Sequence, residues 1–211
     1  MKAILFDFDG TLAHTLPVCF EAFQEVFRRF DERELTNEDI ISMFGPSETG
    51  IIRENLKHTD SSSAIELYYT VYSETHDKLV PHSPEIIELL GDLRRKGYQL
   101  GIVTGKAQRS LDLSLEALKM TSYFDVVITG DDVTNAKPHP EGIQQAMKRL
   151  GVTNEDTIYL GDSDADILAG IDAGVRTVGV YWLPNYQPTF TQKPDVVCNK
   201  TTQLLTSFGI E

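Results

Sequence analysis

Asp7 and Asp9 stand one residue apart in Asp7-Phe8-Asp9-Gly10-Thr11-Leu12, directly behind the apolar run Lys2 to Phe6. Two carboxylates at the end of a buried strand can divide labour, one attacking and the other carrying a proton. Asp7, nearer the strand end, suits the nucleophile, because a carboxylate can accept a phosphoryl group. Asp9 then suits the general acid that protonates a leaving oxygen and the base that later activates water. So short a pattern taken alone also fits plain metal ligation or a capped turn.

More acids follow other apolar runs: Asp131 after one, and Asp162, Asp164 and Asp166 after another, in Gly161-Asp162-Ser163-Asp164-Ala165-Asp166. Bare carboxylates ~4 Å apart repel by roughly 4 kcal/mol at an effective dielectric of ~20, so several can share a crevice only with a cation. A set of oxygen ligands without His or Cys favours magnesium over zinc or copper. The Asp-x-Asp-x-Asp run is not a calcium loop, since Ile167 and Ala173 occupy the places where that loop needs Gly and Glu. A Gly-x-Gly-x-x-Gly dinucleotide fingerprint is also missing there.

Two further segments could handle a phosphoryl group. In Val103-Thr104-Gly105-Lys106 the Thr104 hydroxyl and the backbone N–H groups of Gly105 and Lys106 could cradle phosphate oxygens at a helix start, or Thr104 could simply cap that helix. In Ala136-Lys137-Pro138-His139-Pro140 prolines pin Lys137 at a helix start, where it could neutralise nucleophile and phosphoryl oxygens. A solvated loop lysine is the plainer alternative.

The elements that must position these residues follow from periodicity. Lys2 to Phe6, Gln99 to Val103, Asp125 to Thr129, Thr157 to Leu160 and Thr177 to Val180 are apolar runs of strand length, and Asp195 to Cys198 suggests a last short strand. Helical patterns lie between them at Ser83 to Lys96, Ala107 to Leu118, Pro140 to Leu150 and Ala165 to Ala173, with Gly97, Gly151 and Gly174 as stops. This alternation predicts a doubly wound α/β fold with a parallel, Rossmann-like sheet. Between Thr11 and Val80 it stops. There Phe20, Phe23, Phe27 and Phe30 form an aromatic stripe suited to core packing, and further helices are expected over Glu38 to Phe44, Glu48 to Leu56 and Ser62 to Leu79. The chain is therefore expected to divide into an α/β body, 1–13 plus 82–211, and an inserted all-helical cap, 14–81. The loop around Gly45-Pro46 could face the crevice, with Glu48 and Arg53 as substrate contacts. The Pro- and aromatic-rich segment Tyr181 to Gln192 reads as a loop.

Composition sets the outer limits. A chain of 211 residues with 41% apolar and 24% charged residues can bury a core throughout. The net charge of -13 repels nucleic acid and anionic lipid, so an anionic substrate needs local cations. No apolar run approaches the ~20 residues of a membrane span, and the opening run is too short for a signal segment. Cys19 and Cys198, far apart in sequence, fit a reducing compartment, so a cytoplasmic location is expected.

Taken in order, Asp7-Phe8-Asp9-Gly10-Thr11-Leu12, Thr104, Lys137-Pro138 and Gly161-Asp162-Ser163-x-x-Asp166 resemble the four motifs of the haloacid dehalogenase superfamily, and the insertion resembles its helical cap. The nearest flavour is that of phosphoglycolate phosphatase, related pyrophosphatases and β-phosphoglucomutase. The resemblance implies Asp7 as nucleophile, Asp9 as acid and base, Thr104 on the phosphoryl group and Lys137 as charge clamp. It also implies magnesium on Asp7, the Asp9 carbonyl and Asp162, with Asp166 in support, and a small phosphorylated metabolite as substrate. Where relatives often read Asp-Gly-Thr-Leu-x-Asp-Ser, this chain has Ala13-His14-Thr15 at the start of the insertion. Phosphatase activity is the leading expectation. A phosphomutase using the same phospho-Asp7 is the alternative within enzymes, and a phospho-receiver is disfavoured because its acceptor sits on a later strand with no helical insertion after the first.

Overall fold

The computed structural model describes residues 1–184 and 189–209. Six strands, β1 (Ala3–Phe6), β2 (Gln99–Val103), β3 (Val126–Ile128), β4 (Thr157–Gly161), β5 (Arg176–Val180) and β6 (Val196–Cys198), form one sheet in the order β3-β2-β1-β4-β5-β6. All its pairings are parallel. β1 and β4 are buried at every position, which is why they read as continuous apolar runs rather than alternating ones. The order reverses across the β1–β4 pair, so the crevice beyond the carboxyl ends of these two strands is the natural ligand position of such a sheet.

The insertion is helical: α1 (Leu16–Asp31), α2 (Asn37–Ile41), α3 (Glu48–Asn55) and α4 (Ser61–Leu79). Of the expected aromatic stripe, Phe23 and Phe27 are fully buried while Phe20 and Phe30 pack at its margin, and the Phe23 ring meets Tyr68 of α4 at 4.7 Å between centroids. α2 is shorter than its apolar pattern suggests. A Thr36–Asp39 capping box fixes its start at Asn37, and Met43 N bonding back to Ile40 O closes the chain into a turn before Phe44.

In the body, α5 (Pro84–Arg95) and α6 (Gln108–Ala117) cover one face of the sheet, and α7 (Glu141–Leu150) and α8 (Asp164–Ala173) the other. The pleat divides the strands accordingly: Ile4 and Phe6 point to the first layer and Leu5 to the second. A last helix, α9 (Thr201–Ser207), was not expected from the sequence, since Leu204 is its one buried residue and leaves no period to read. Of the segment Tyr181 to Gln192, residues 185–188 lie outside the described ones. Trp182, just after β5, donates its indole N–H to the Thr11 carbonyl at 2.7 Å and lines a cleft with His14 and His82, one from each connection between cap and body. Among the described residues no helix is long and apolar enough to cross a membrane.

Cap and body also meet where α4 packs on α6. There the Ser114 hydroxyl lies 2.7 Å from the Tyr72 hydroxyl and 3.0 Å from His76 Nε2, all three side chains buried. Burial holds His76 below its ordinary range, so the neutral ring is the folded form. The unfolded chain takes up a proton near pH ~6.5 that the folded chain refuses, so stability should fall as pH drops below that point. His14, lowered by its own burial, adds a slope of the same sign. Between about pH 7 and 5 the melting temperature of the parent should therefore fall relative to that of His76→Gln, a difference that isolates the histidine from the buried carboxylates. An identical slope in the variant would remove His76 from the account.

Candidate active site

The strands deliver the carboxylates. Asp7 follows β1 and extends its pairing, donating its N–H to Leu160 O at 2.8 Å, and Asp162 follows β4 next door. Both side chains are buried. Gly10, at φ +79°, lets the loop after β1 turn back onto them. A Cβ at that position would collide with the Asp162 carboxylate, so a glycine is required for the close approach.

Asp7, Asp162 and Asp166 each bring an oxygen within 4.8 Å of the other two. Burial, with the charges of Asp166 and Asp9, pushes Asp7 up to about 7 against the pull of Lys137. Burial and the charges of Asp166 and Asp7 likewise raise Asp162 well above the usual carboxylate range. Asp162 Oδ2 is buried and has no hydrogen-bond partner. Crowded, desolvated carboxylates, one of them with an unused oxygen, fit a hard divalent cation such as magnesium, which would relieve the mutual repulsion. Asp7 and Asp162 are the candidate side-chain ligands. Asp166 has less to offer: its Oδ1 receives Lys137 and the Tyr159 hydroxyl, and its Oδ2 receives Ser163 N and Oγ. A supporting position suits it. Asp9 keeps its carboxylate out of this cluster, so of the four acids proposed for metal it could contribute only through its backbone.

Lys137 reaches the crevice from the segment before α7. Its ammonium bonds Asp7 Oδ1 at 2.7 Å, Asp166 Oδ1 at 2.6 Å and the Tyr159 hydroxyl at 3.1 Å, which uses its three protons. Burial opposes its charge, but Asp166 and Asp7 outweigh that and hold it well above its ordinary range. Tyr159, wholly buried on β4, also reaches Val103 O at 2.9 Å. Its role in orienting Lys137 escaped the sequence reading, because an inward-facing strand tyrosine carries no motif.

Asp9 turns the other way. Its Oδ1 accepts the Thr15 hydroxyl, at the entrance to the cap, and lies 3.2 Å from Lys106 Nζ. Lys106 is fully buried, sits over the Tyr72 ring at 4.8 Å, and is 3.2 Å from Glu48 Oε1 of α3. Burial opposes its charge too, and Asp9 and Glu48 help hold it well above its usual range. Glu48 further accepts the Ala107 N–H and the Ser110 hydroxyl. This sets aside the plainer alternative for Thr104, that it caps the helix. α6 begins only at Gln108, its N-cap residue Ala107 offers no capping side chain, and the Ala107 and Gln108 N–H groups go to Glu48 of the cap and Asp131 of the body. Thr104 instead shapes the preceding turn, its hydroxyl accepting the Lys106 N–H at 3.3 Å, and it lines the crevice with Gly105.

Between these groups and the cap lies a cavity of about 140 Å³. Asp7, Asp9, Lys106, Lys137 and Asp162 line its body side; Phe23, Phe44, Gly45 and Pro46 line its cap side. Glu48 also lines it, but Arg53 does not. Five residues further along α3, Arg53 is carried about 140° round the helix to the exposed face. Of the two cap residues expected at the substrate, the structure thus brings Glu48 to the cavity and leaves Arg53 outside it.

A Rossmann-ordered sheet that gathers aspartates and a buried lysine at its switch point, roofed by a helical insertion after β1, defines a capped α/β protein with an aspartate-bearing crevice. The chain matches the pattern of the haloacid dehalogenase-like hydrolase family over residues 4–180, and it belongs to that family. It is 34% identical over 209 residues to pyrophosphatase PpaX of Bacillus mycoides (strain KBAB4), covering 97% of this chain and 95% of that protein. With pyrophosphatase PpaX of Anoxybacillus flavithermus (strain DSM 21510 / WK1) the identity is 35% over 214 residues, covering 100% and 98%. The crystal structure of CbbY from Rhodobacter sphaeroides in complex with phosphate superposes with a TM-score of 0.85 at 23% identity, covering 97% of this chain and 96% of that one, a likeness of fold.

Proposed function

We propose that the protein is a magnesium-dependent phosphohydrolase that cleaves a small phosphorylated compound through an aspartyl phosphate on Asp7. The observation that carries this reading is Asp7 itself: a buried carboxylate at the β1 terminus, held at 2.7 Å by the Lys137 ammonium and facing a cavity of about 140 Å³. Asp7 attacks phosphorus while Asp9 gives its proton to the leaving oxygen. One P–O bond forms as the other breaks. Asp9, now ionised, takes a proton from water, whose oxygen attacks the same phosphorus and returns Asp7 as a free carboxylate. Thr104 and the Gly105 N–H are placed to orient phosphoryl oxygens, and Lys137 opposes the charge that develops on them. Magnesium, when bound to Asp7, Asp162 and the Asp9 carbonyl, supplies the positive charge that lets a phosphoryl group approach these acids. Pyrophosphate is the first substrate to test, given the PpaX relatives, and phosphoglycolate the second. The cavity's small volume and roof favour substrates of that size over phosphoproteins.

The reading is tested by hydrolysis of an aryl phosphate with and without chelator. Activity should vanish in chelator and return with magnesium, and Asp162→Asn should raise the magnesium needed for half-maximal rate by about tenfold or more, one charged ligand being lost. Full activity in chelator would sink the proposal.

A further inference from the structure

We infer that Glu48 and Lys106 form a charge-balanced pair that sets how much negative charge the departing part of the substrate can carry, with Glu48 acting against anionic leaving groups and Lys106 for them. The inference rests on the phosphohydrolase reading. Since Asp9 protonates the leaving oxygen, the departing fragment lies on the Asp9 side of the cavity. The nearest cation there is Lys106, whose Nζ is 3.2 Å from Asp9 Oδ1 and fully buried. Left alone, such an ammonium would welcome a second anionic group. Glu48 prevents this by standing 3.2 Å from the same nitrogen. It is itself 6% exposed and lines the cavity.

Glu48 is also fixed in place. The Ala107 N–H and the Ser110 hydroxyl, both on the body, donate to its two oxygens, so a carboxylate carried by the cap occupies the anion-accepting start of α6. An incoming anionic leaving group meets a compensated lysine rather than a bare one. Like charges placed together in a water-poor cavity discriminate strongly between ligands that differ only in charge. This assigns the pair a part in specificity separate from the transfer chemistry at Asp7 and Lys137.

The test compares two substrates with magnesium present: pyrophosphate, whose departing group is anionic, and p-nitrophenyl phosphate, whose departing group has an uncharged body. Glu48→Gln, which keeps the size and hydrogen-bonding capacity of the side chain, should raise the ratio of kcat/KM for pyrophosphate over the aryl phosphate by about tenfold. Lys106→Gln should lower that ratio by a similar factor. The double variant, which removes both members of the pair at once, should return it near the parent value. If the parent turns over only the aryl phosphate, the same shifts are read in the inhibition constant of pyrophosphate. A purely structural role would depress both substrates alike, and an unchanged ratio in both single variants would overturn the inference. Hydrolysis of neither compound by the parent would refute the underlying phosphohydrolase reading instead.

Discussion

Asp7→Asn should abolish turnover, lowering kcat by about 10⁴-fold or more, as removal of a covalent nucleophile does when no other group can replace it. The amide fills the same space and can still accept from Lys137, so the loss isolates the attacking charge. Stability should move the other way. Burial and neighbouring carboxylates push Asp7 up to about 7, far above its value in an unfolded chain, so in metal-free protein its ionised form opposes folding. That destabilisation grows as pH rises from the ordinary carboxylate range through 7, and the neutral amide escapes it. In chelator at pH about 8 the variant should therefore melt no lower than the parent, while being inactive. Acid-quenched parent enzyme should carry phosphate on Asp7, and covalent phosphate found on another residue would overturn the assignment.

Lys137→Ala should lower kcat by about 10²–10³ with a smaller change in KM, the scale expected when one fixed electrostatic stabiliser of a transition state is removed. The lysine has no loose partner to spare: its protons go to Asp7, Asp166 and the Tyr159 hydroxyl, and the last of these ties it to the β2 carbonyl of Val103. Its removal leaves Asp7 and Asp166 facing one another without a counter-charge. Steady-state rates on the aryl phosphate at saturating magnesium decide the matter. A near-normal kcat would return Lys137 to the status of an ordinary loop lysine.

Chemistry placed directly after buried strands could be read from the sequence. Asp7, Asp9, Thr104 and Asp162 follow apolar runs, and the parallel sheet brings the ends of those runs to one edge, so spacing along the chain stood in for spacing in the fold. What required three dimensions was the side chains' second partners. Tyr159 looks like one more apolar strand residue until its hydroxyl is seen between Lys137, Asp166 and Val103 O. Glu48 and Arg53 looked equivalent on a helix of unknown rotation, and the burial of Ile51 and Ile52 settles which of the two faces inward. Lys106 read as part of a helix start, yet α6 begins two residues later, with Glu48 of the cap accepting the Ala107 N–H and Asp131 of the body accepting that of Gln108.

Trp182 is the chain's one tryptophan, and its indole hydrogen-bonds the loop that carries Asp7 and Asp9 while bordering both connections to the cap. The protein thus contains an intrinsic fluorophore where the helical block joins the body. Any swing of the helical block that disturbs Thr11 or the His14 connection changes the polarity around that ring and shifts its emission. Stopped-flow mixing with substrate can therefore test for such a swing in unlabelled protein, with no other indole contributing to the signal.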